Sequence, residues 1–76
     1  MKVVITGISG FIGTSLAIEC DRLGFDVIGI DREVNHWLSW REKLVNNKIT
    51  FIHDDYSSER SLEMIAHNKP DIIFHL

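Results

Sequence analysis

Gly7, Gly10 and Gly13 stand between an apolar run, Val3-Val4-Ile5, and a helical pattern that begins at Phe11. Glycines at this spacing can hold a pyrophosphate. At Gly7 the strand must turn sharply, and a residue without Cβ takes φ > 0 at little steric cost. Gly10 lets the backbone come close to phosphate oxygens, and Gly13 removes bulk where the following helix packs on the strands. That helix aims the N–H groups and positive dipole end of its N-terminus at the phosphates. Glycine triplets also occur in ordinary turns, so context carries the argument: a preceding strand, a following helix, a βαβ unit of about 30 residues and an acidic residue about 20 positions on. Asp31, which closes the next apolar run Val27-Ile28-Gly29-Ile30, supplies the last of these. The four together point to the opening of a dinucleotide-binding fold.

The elements that must position these residues alternate between strand and helix, the pattern of parallel α/β architecture. Strands are expected over Lys2 to Thr6, Asp26 to Ile30, Ile49 to His53 and Asp71 to Leu76. A first helix is expected from about Phe11 to Leu23, with Ile12, Leu16, Cys20 and Leu23 on one face and Gly24 as a left-handed C-cap. The segment Glu33 to Asn47, carrying Trp37, Leu38, Trp40, Leu44 and Val45, suggests a short helix ended by Asn46-Asn47. A further helix capped by Ser57 or Ser58 has Glu59 in its first turn and Leu62, Ile65 and Ala66 as its buried stripe, and ends at Asn68-Lys69-Pro70. Nearly continuous apolar strands are expected where helices cover both faces of a parallel sheet. Right-handed crossovers then give a Rossmann-type sheet of order 3-2-1-4, with ligands binding at the switch point outside the carboxyl ends of strands one and four.

Composition narrows the classes further. The 76 residues are 45% hydrophobic and 25% charged, as in an ordinary globular chain rather than a disordered or membrane one. A net charge of −3 with no basic cluster offers no footprint for nucleic acid. The apolar start is broken by Thr6-Gly7 and is too short for a signal-peptide core or a membrane span, so a cytoplasmic location is the default. Cys20, the single cysteine, has the helical spacing of a buried small hydrophobe rather than a reactive thiol. His36, His53, His67 and His75 show no metal-ligand spacing. No lysine follows the last glycine in the G-x-x-x-x-G-K-[ST] pattern, which excludes a P-loop.

The segment Thr6-Gly7-Ile8-Ser9-Gly10-Phe11-Ile12-Gly13 resembles the T-G-x-x-G-x-x-G fingerprint of the extended short-chain dehydrogenases/reductases, the NAD-dependent epimerase/dehydratase family. Phe51-Ile52-His53-Asp54-Asp55 is similar to that family's third strand, and Asp71-Ile72-Ile73-Phe74-His75-Leu76 to its fourth. The resemblance spans nearly the whole chain and about the first quarter of a two-domain enzyme of ~300 residues. It implies that residues 1–76 are the N-terminal part of an NAD(P)-binding domain, with Gly7, Gly10 and Gly13 as the pyrophosphate loop and the amides of Phe11 and Ile12 donating to phosphate oxygens. Asp31 would accept from the ribose hydroxyls of the adenosine and repel a 2′-phosphate, favouring NAD over NADP. Arg32 could pair with such a phosphate, although an exposed, solvated arginine is the simpler reading. Asp55 would accept the adenine amino group with the Tyr56 N–H reaching a ring nitrogen; equally, Asp54 and Asp55 could merely start a turn before the serine cap. Two positions depart from the pattern, since Ile8 and Asp54 stand where the family often has a small residue.

Enzymes of this family carry a Tyr-x-x-x-Lys pair that exchanges a proton with the substrate while nicotinamide takes or returns a hydride. Here Tyr56 is followed at that distance by Arg60, and it belongs to the adenine end, so no catalytic residue is assigned. The resemblance implies a nucleotide-sugar or similar polyol as the substrate of the full-length protein, and leaves room for a homodimer. Two other readings remain open: a non-catalytic dinucleotide-binding regulator or scaffold, and a truncated fragment without independent function. His75 reads as a packed or hydrogen-bonded histidine, and Trp37 and Trp40 as packing residues of a short amphipathic helix rather than an aromatic platform for adenine.

Overall fold

A computed structural model describes residues 1–76, the side chain of Leu38 apart, and places a four-stranded parallel sheet at the centre of the molecule. The strands are β1 (Lys2–Thr6), β2 (Asp26–Asp31), β3 (Ile49–His53) and β4 (Ile72–His75), in the order β3-β2-β1-β4. The helices are α1 (Phe11–Arg22), α2 (Asn35–Trp40), which continues into a short 3₁₀ turn at Arg41–Lys43, and α3 (Glu59–Asn68). The expected Rossmann-type order is therefore present.

The alternation of side chains along β1 divides the core in two. Val3 and Ile5 face α1 and α2, where they pack with Val27, Ile8, Ala17, Cys20 and Trp37. Val4 faces the other way and meets Ile30 and Ile52 under Met64 and Ile65 of α3. Because β1 and β2 lie inside the sheet, their apolar runs are covered on both faces. The edge strands differ from the expectation of continuous burial. In β4, Ile72 and Ile73 are exposed, since this strand pairs only with β1.

Helix α1 ends as its sequence predicts. Gly24 adopts φ +78°, its N–H donates to the Asp21 carbonyl at 2.9 Å and the Phe25 N–H to that of Cys20 at 3.0 Å, the two bonds of a Schellman cap. Its buried face differs from the expected Ile12-Leu16-Cys20-Leu23 stripe. Gly13, Thr14, Ala17, Cys20 and Asp21 are buried, whereas Ile12 is 73% and Leu23 51% exposed. The glycine loop sets this rotation, because α1 can approach the loop only through the side where Gly13 offers no Cβ. The Thr14 hydroxyl secures the contact by donating to the Ile8 carbonyl at 2.9 Å. Burial of Cys20 agrees with the sequence reading, and desolvation, assisted by the Glu19 charge, raises the pKa of its thiol.

The segment after β2 is helical over a shorter range than Glu33 to Asn47. Leu44 is extended and Asn47 adopts φ 55°, because the amides of Val45, Asn46 and Asn47 turn inward to the Asp21 carboxylate. Trp37 is buried and stacks on Phe51 at 5.7 Å, as its packing role requires, while Trp40 is half-buried with Lys43 Nζ 4.4 Å from its ring centroid. Leu38, counted with the apolar positions of this segment, lies outside the described side chains.

At α3 the cap is Ser58, whose hydroxyl oxygen accepts from the Ser61 N–H at 3.1 Å. Ser61 is itself buried and donates to the Asp55 carbonyl at 2.7 Å. That bond turns the Ser61-Met64-Ile65 side inward and leaves Leu62 (54%) and Ala66 exposed, contrary to the expected Leu62-Ile65-Ala66 stripe. Replacement of Ser58 by alanine is expected to cost about 1 kcal/mol. In a thermal melt that corresponds to a fall of about 4–8 °C for a domain of this size; no change would mean that the Ser61 N–H finds water without penalty.

Candidate functional site

The carboxyl ends of β1, β2 and β3 and the segments that follow them enclose a cleft of about 170 Å³. Gly7, Asp31, Arg32, Asp55 and Tyr56 line it, together with Thr6, Ile30, Asp54 and Leu76. This is the side of the sheet where β1 separates β2 from β4, the switch point of a doubly wound fold. The volume is below the ~300 Å³ of the smallest usual ligand pockets, so the cleft by itself is smaller than a site that encloses a whole ligand. A second hollow of about 220 Å³ opens at the opposite ends of the strands, between Lys2, Asp26, Lys48 and Pro70, and contains none of the expected site residues.

Gly10, Phe11, Ile12 and Gly13 stand outside the cleft and build the end of α1. Gly7 takes φ +73° and donates to the Ile30 carbonyl at 2.8 Å, which turns the chain out of the sheet. Gly10 caps α1 without a side chain, and the N–H groups of Phe11, Ile12 and Gly13 have no partner among the described residues. A Cβ on Gly10 would meet only the Gly7 carbonyl oxygen, at an ordinary 3.4 Å. The space above Gly10 is thus open, and unpaired donors lie at the helix end behind it. This is the arrangement an anion requires. Gly13 is constrained by the chain itself: its Cβ would fall 2.2 Å from the Gly7 oxygen and 2.8 Å from Ile8 Cα.

Ile8, a departure from the family pattern, is fully buried and lies directly over Gly29 in β2, where any Cβ would fall 2.2 Å from Ile8 Cδ1. The larger loop residue is therefore matched by a missing side chain beneath it, and the turn keeps its shape. Asp54, the other departure, directs its carboxylate to the Asp55 N–H at 2.7 Å.

The acidic residues are held by backbone donors. Asp31 accepts from the Ser9 N–H at 2.9 Å through Oδ2 and from the Glu33 N–H at 3.0 Å through Oδ1. Asp55 accepts through Oδ1 from both the N–H (2.8 Å) and the hydroxyl (2.6 Å) of Ser57, and those bonds, with a smaller contribution from Arg32, hold its pKa below the usual carboxylate value. The turn-forming role of Asp54 and Asp55 is therefore present, and it leaves Asp55 Oδ2 directed at Arg32. Arg32 is 80% exposed, with Nε 3.6 Å from that oxygen, a solvated pair of small energetic consequence. Its carbonyl is in hydrogen-bond contact with His53 Nε2 at 2.8 Å.

Two contacts have partners that residue type does not specify. His75 Nδ1 lies 2.7 Å from the Thr6 hydroxyl, and the Tyr56 ring stands edge-on to the His75 imidazole with centroids 4.6 Å apart. His75 is hydrogen-bonded as expected, though it is exposed rather than packed. Ser9 is buried, and its hydroxyl donates to the Glu33 carbonyl. No group of three His, Cys, Asp or Glu side chains that could hold a metal occurs among the described residues, and no helix there is long and apolar enough to cross a membrane.

Comparison with known proteins gives a family match and, among curated sequences, a second likeness. The model of the NAD dependent epimerase/dehydratase family matches residues 3–76. The structure is similar to an epimerase of Methanothermobacter thermautotrophicus, with TM-score 0.79 and 26% identity over 99% of this chain and 22% of that one. It is similarly close to the UDP-glucose 4-epimerase of Thermotoga maritima, solved with UDP-glucose, with TM-score 0.78 and 26% identity over 100% of this chain and 24% of that one. Among curated sequences, a formate-dependent phosphoribosylglycinamide formyltransferase of Nitratiruptor is 36% identical over 96% of this chain and 17% of its own length. The chain thus spans less than a quarter of the length of each of these relatives.

Proposed function

The chain belongs to the NAD-dependent epimerase/dehydratase family, and we propose accordingly that it is the cofactor-binding part of a nucleotide-sugar epimerase, dehydratase or reductase that takes NAD in preference to NADP. The observation that carries this reading is the α1 terminus: three unpaired N–H groups behind an open Gly10, with the Asp31 carboxylate hydrogen-bonded to the same loop. In this reading the loop of Gly7, Gly10 and Gly13 receives the pyrophosphate, and the amides of Phe11 and Ile12 donate to it. Asp31 accepts from the ribose hydroxyls; each of its oxygens has one lone pair beyond those used by Ser9 and Glu33. Asp55 Oδ2 and the Tyr56 N–H take the adenine edge, with Arg32 over the mouth of the cleft. Bound NAD supplies a hydride acceptor, while this chain contributes binding and orientation and contains no Tyr-x-x-x-Lys pair. A cytoplasmic setting and a polyol substrate belong to the same proposal.

Calorimetric titration of the chain with NAD and NADP tests it. Saturable NAD binding, weaker for NADP, is the expected outcome. Asp31→Ala should weaken NAD about tenfold or more, the loss expected when hydrogen bonds to a charged group are removed. Unchanged NAD affinity in that variant would remove Asp31 from the ribose site. The likeness to the formyltransferase favours a second reading, in which the same helix end receives the phosphate of a phosphoribosyl compound. Binding of ribose 5-phosphate with no binding of NAD would select it.

A further inference from the structure

We propose that Ser9 is a positioning residue that sets the discrimination between NAD and NADP by latching the glycine loop to the chain after β2 and so fixing the Asp31 carboxylate. This rests on the ribose role proposed for Asp31. Ser9 is 2% exposed and joins the two segments twice. Its N–H donates to Asp31 Oδ2 at 2.9 Å, and its hydroxyl donates to the Glu33 carbonyl. The Glu33 N–H closes the circuit by donating to Asp31 Oδ1 at 3.0 Å. Both carboxylate oxygens are thereby held from one side by backbone donors, and the carboxylate cannot rotate away to admit a 2′-phosphate. Arg32, the cation nearest in sequence, points to Asp55 Oδ2. A 2′-phosphate would therefore meet a fixed negative charge unless Arg32 left its weak, exposed pair with Asp55.

The hydroxyl is the part of this circuit that mutation can remove, because the Ser9 N–H belongs to the backbone. In Ser9→Ala the glycine loop and α1 terminus keep their donors. The Glu33 carbonyl loses its tie to the loop, so that only the Ser9 and Glu33 N–H groups still hold the Asp31 carboxylate and the two segments can separate more easily. NAD affinity is expected to fall about fivefold, the factor for one buried hydrogen bond, while NADP affinity stays constant or rises, so that the ratio of the two dissociation constants contracts. Amide hydrogen exchange on the ligand-free chain provides a readout independent of binding: the Ser9→Ala variant should exchange faster at position 9 and at Glu33, with the amides of β1 unchanged. Ser9→Thr, which retains the hydroxyl, should restore both the ratio and the protection. A parent chain that discriminates between the dinucleotides, paired with a Ser9→Ala variant whose ratio and exchange rates equal the parent's, would overturn the latch alone. A parent chain that binds neither dinucleotide would overturn the ribose reading, and with it the specificity role of Ser9.

Discussion

Gly10→Leu is expected to abolish NAD binding in a chain that still folds, whereas Gly13→Ala is expected to damage the fold itself. The two glycines share one motif, and only their surroundings separate them. Gly10 has φ −72° and ψ 170°, a conformation open to any residue, and its Cβ would touch the chain only at the Gly7 oxygen, 3.4 Å away. A leucine there costs about 1 kcal/mol or less, as the loss of a tolerable N-cap. Its side chain would nevertheless fill the space before the unpaired amides of Phe11, Ile12 and Gly13. At Gly13 the added Cβ would stand 2.2 Å from the Gly7 oxygen, 2.8 Å from Ile8 Cα and 3.0 Å from the Gly7 carbonyl carbon. All three are backbone atoms of a turn already fixed by Gly7, so α1 must move off the sheet. Overpacking of this kind costs about 1–3 kcal/mol and sometimes more, against a total stability of about 4–11 kcal/mol for a chain of this length. A fall in Tm of about 4–24 °C follows. Melts followed by circular dichroism, with calorimetric titration of each variant, check both. NAD binding by Gly10→Leu at parental affinity would refute the phosphate-loop reading, and a parental Tm for Gly13→Ala would show that the loop yields at little cost.

Asp21→Ala is expected to destabilise the chain by about 3 kcal/mol, the upper end of what hydrogen bonds to a charged acceptor contribute. Asp21 is 1% exposed and lies in the last turn of α1, where a negative charge opposes the helix dipole. Its carboxylate is compensated by the N–H groups of Val45 at 2.5 Å, Asn46 at 3.2 Å and Asn47 at 2.7 Å. Asn46 answers by donating its side-chain amide to the Asp21 carbonyl at 2.6 Å. This cluster ends the helical segment after β2 and delivers the chain into β3. Asp21→Asn retains the shape but replaces one acceptor by a donor facing N–H groups, so it should lose about 2 kcal/mol. Urea denaturation should show a lower midpoint at an unchanged slope for both variants. A loss below about 0.5 kcal/mol for Asp21→Ala would mean that water replaces the carboxylate freely.

The strands, their order and the glycine turn were legible in the sequence because each rests on a local rule. β-branched runs bounded by turn residues form strands, and Gly7 and Gly24 occupy positive φ where a Cβ would be strained. Alternation of strand and helix with right-handed crossovers leaves few sheet orders, and 3-2-1-4 is the one found. The presence of Asp31, Arg32, Asp55 and Tyr56 around one cleft follows from that order, since each stands at or just beyond the carboxyl end of β2 or β3.

Which helix face turns inward was decided elsewhere. Leu62, Ile65 and Ala66 make as good a helical stripe as Ser61, Met64 and Ile65, and the bond from Ser61 to the Asp55 carbonyl selects the second. In α1 the close approach at Gly13 outweighs the apolar character of Ile12 and Leu23. Burial of Asp21 and Ser9 depends on partners 22 positions or more along the chain, so no window of neighbouring residues could reveal it. The elements, apart from the length of the helical segment after β2, and their sheet order follow from the residue pattern, because local geometry and handedness govern these. Helix rotation, the compensation of Ile8 by Gly29 and the anchoring of Asp31 belong to the folded molecule, because each depends on atoms that meet after the chain has folded.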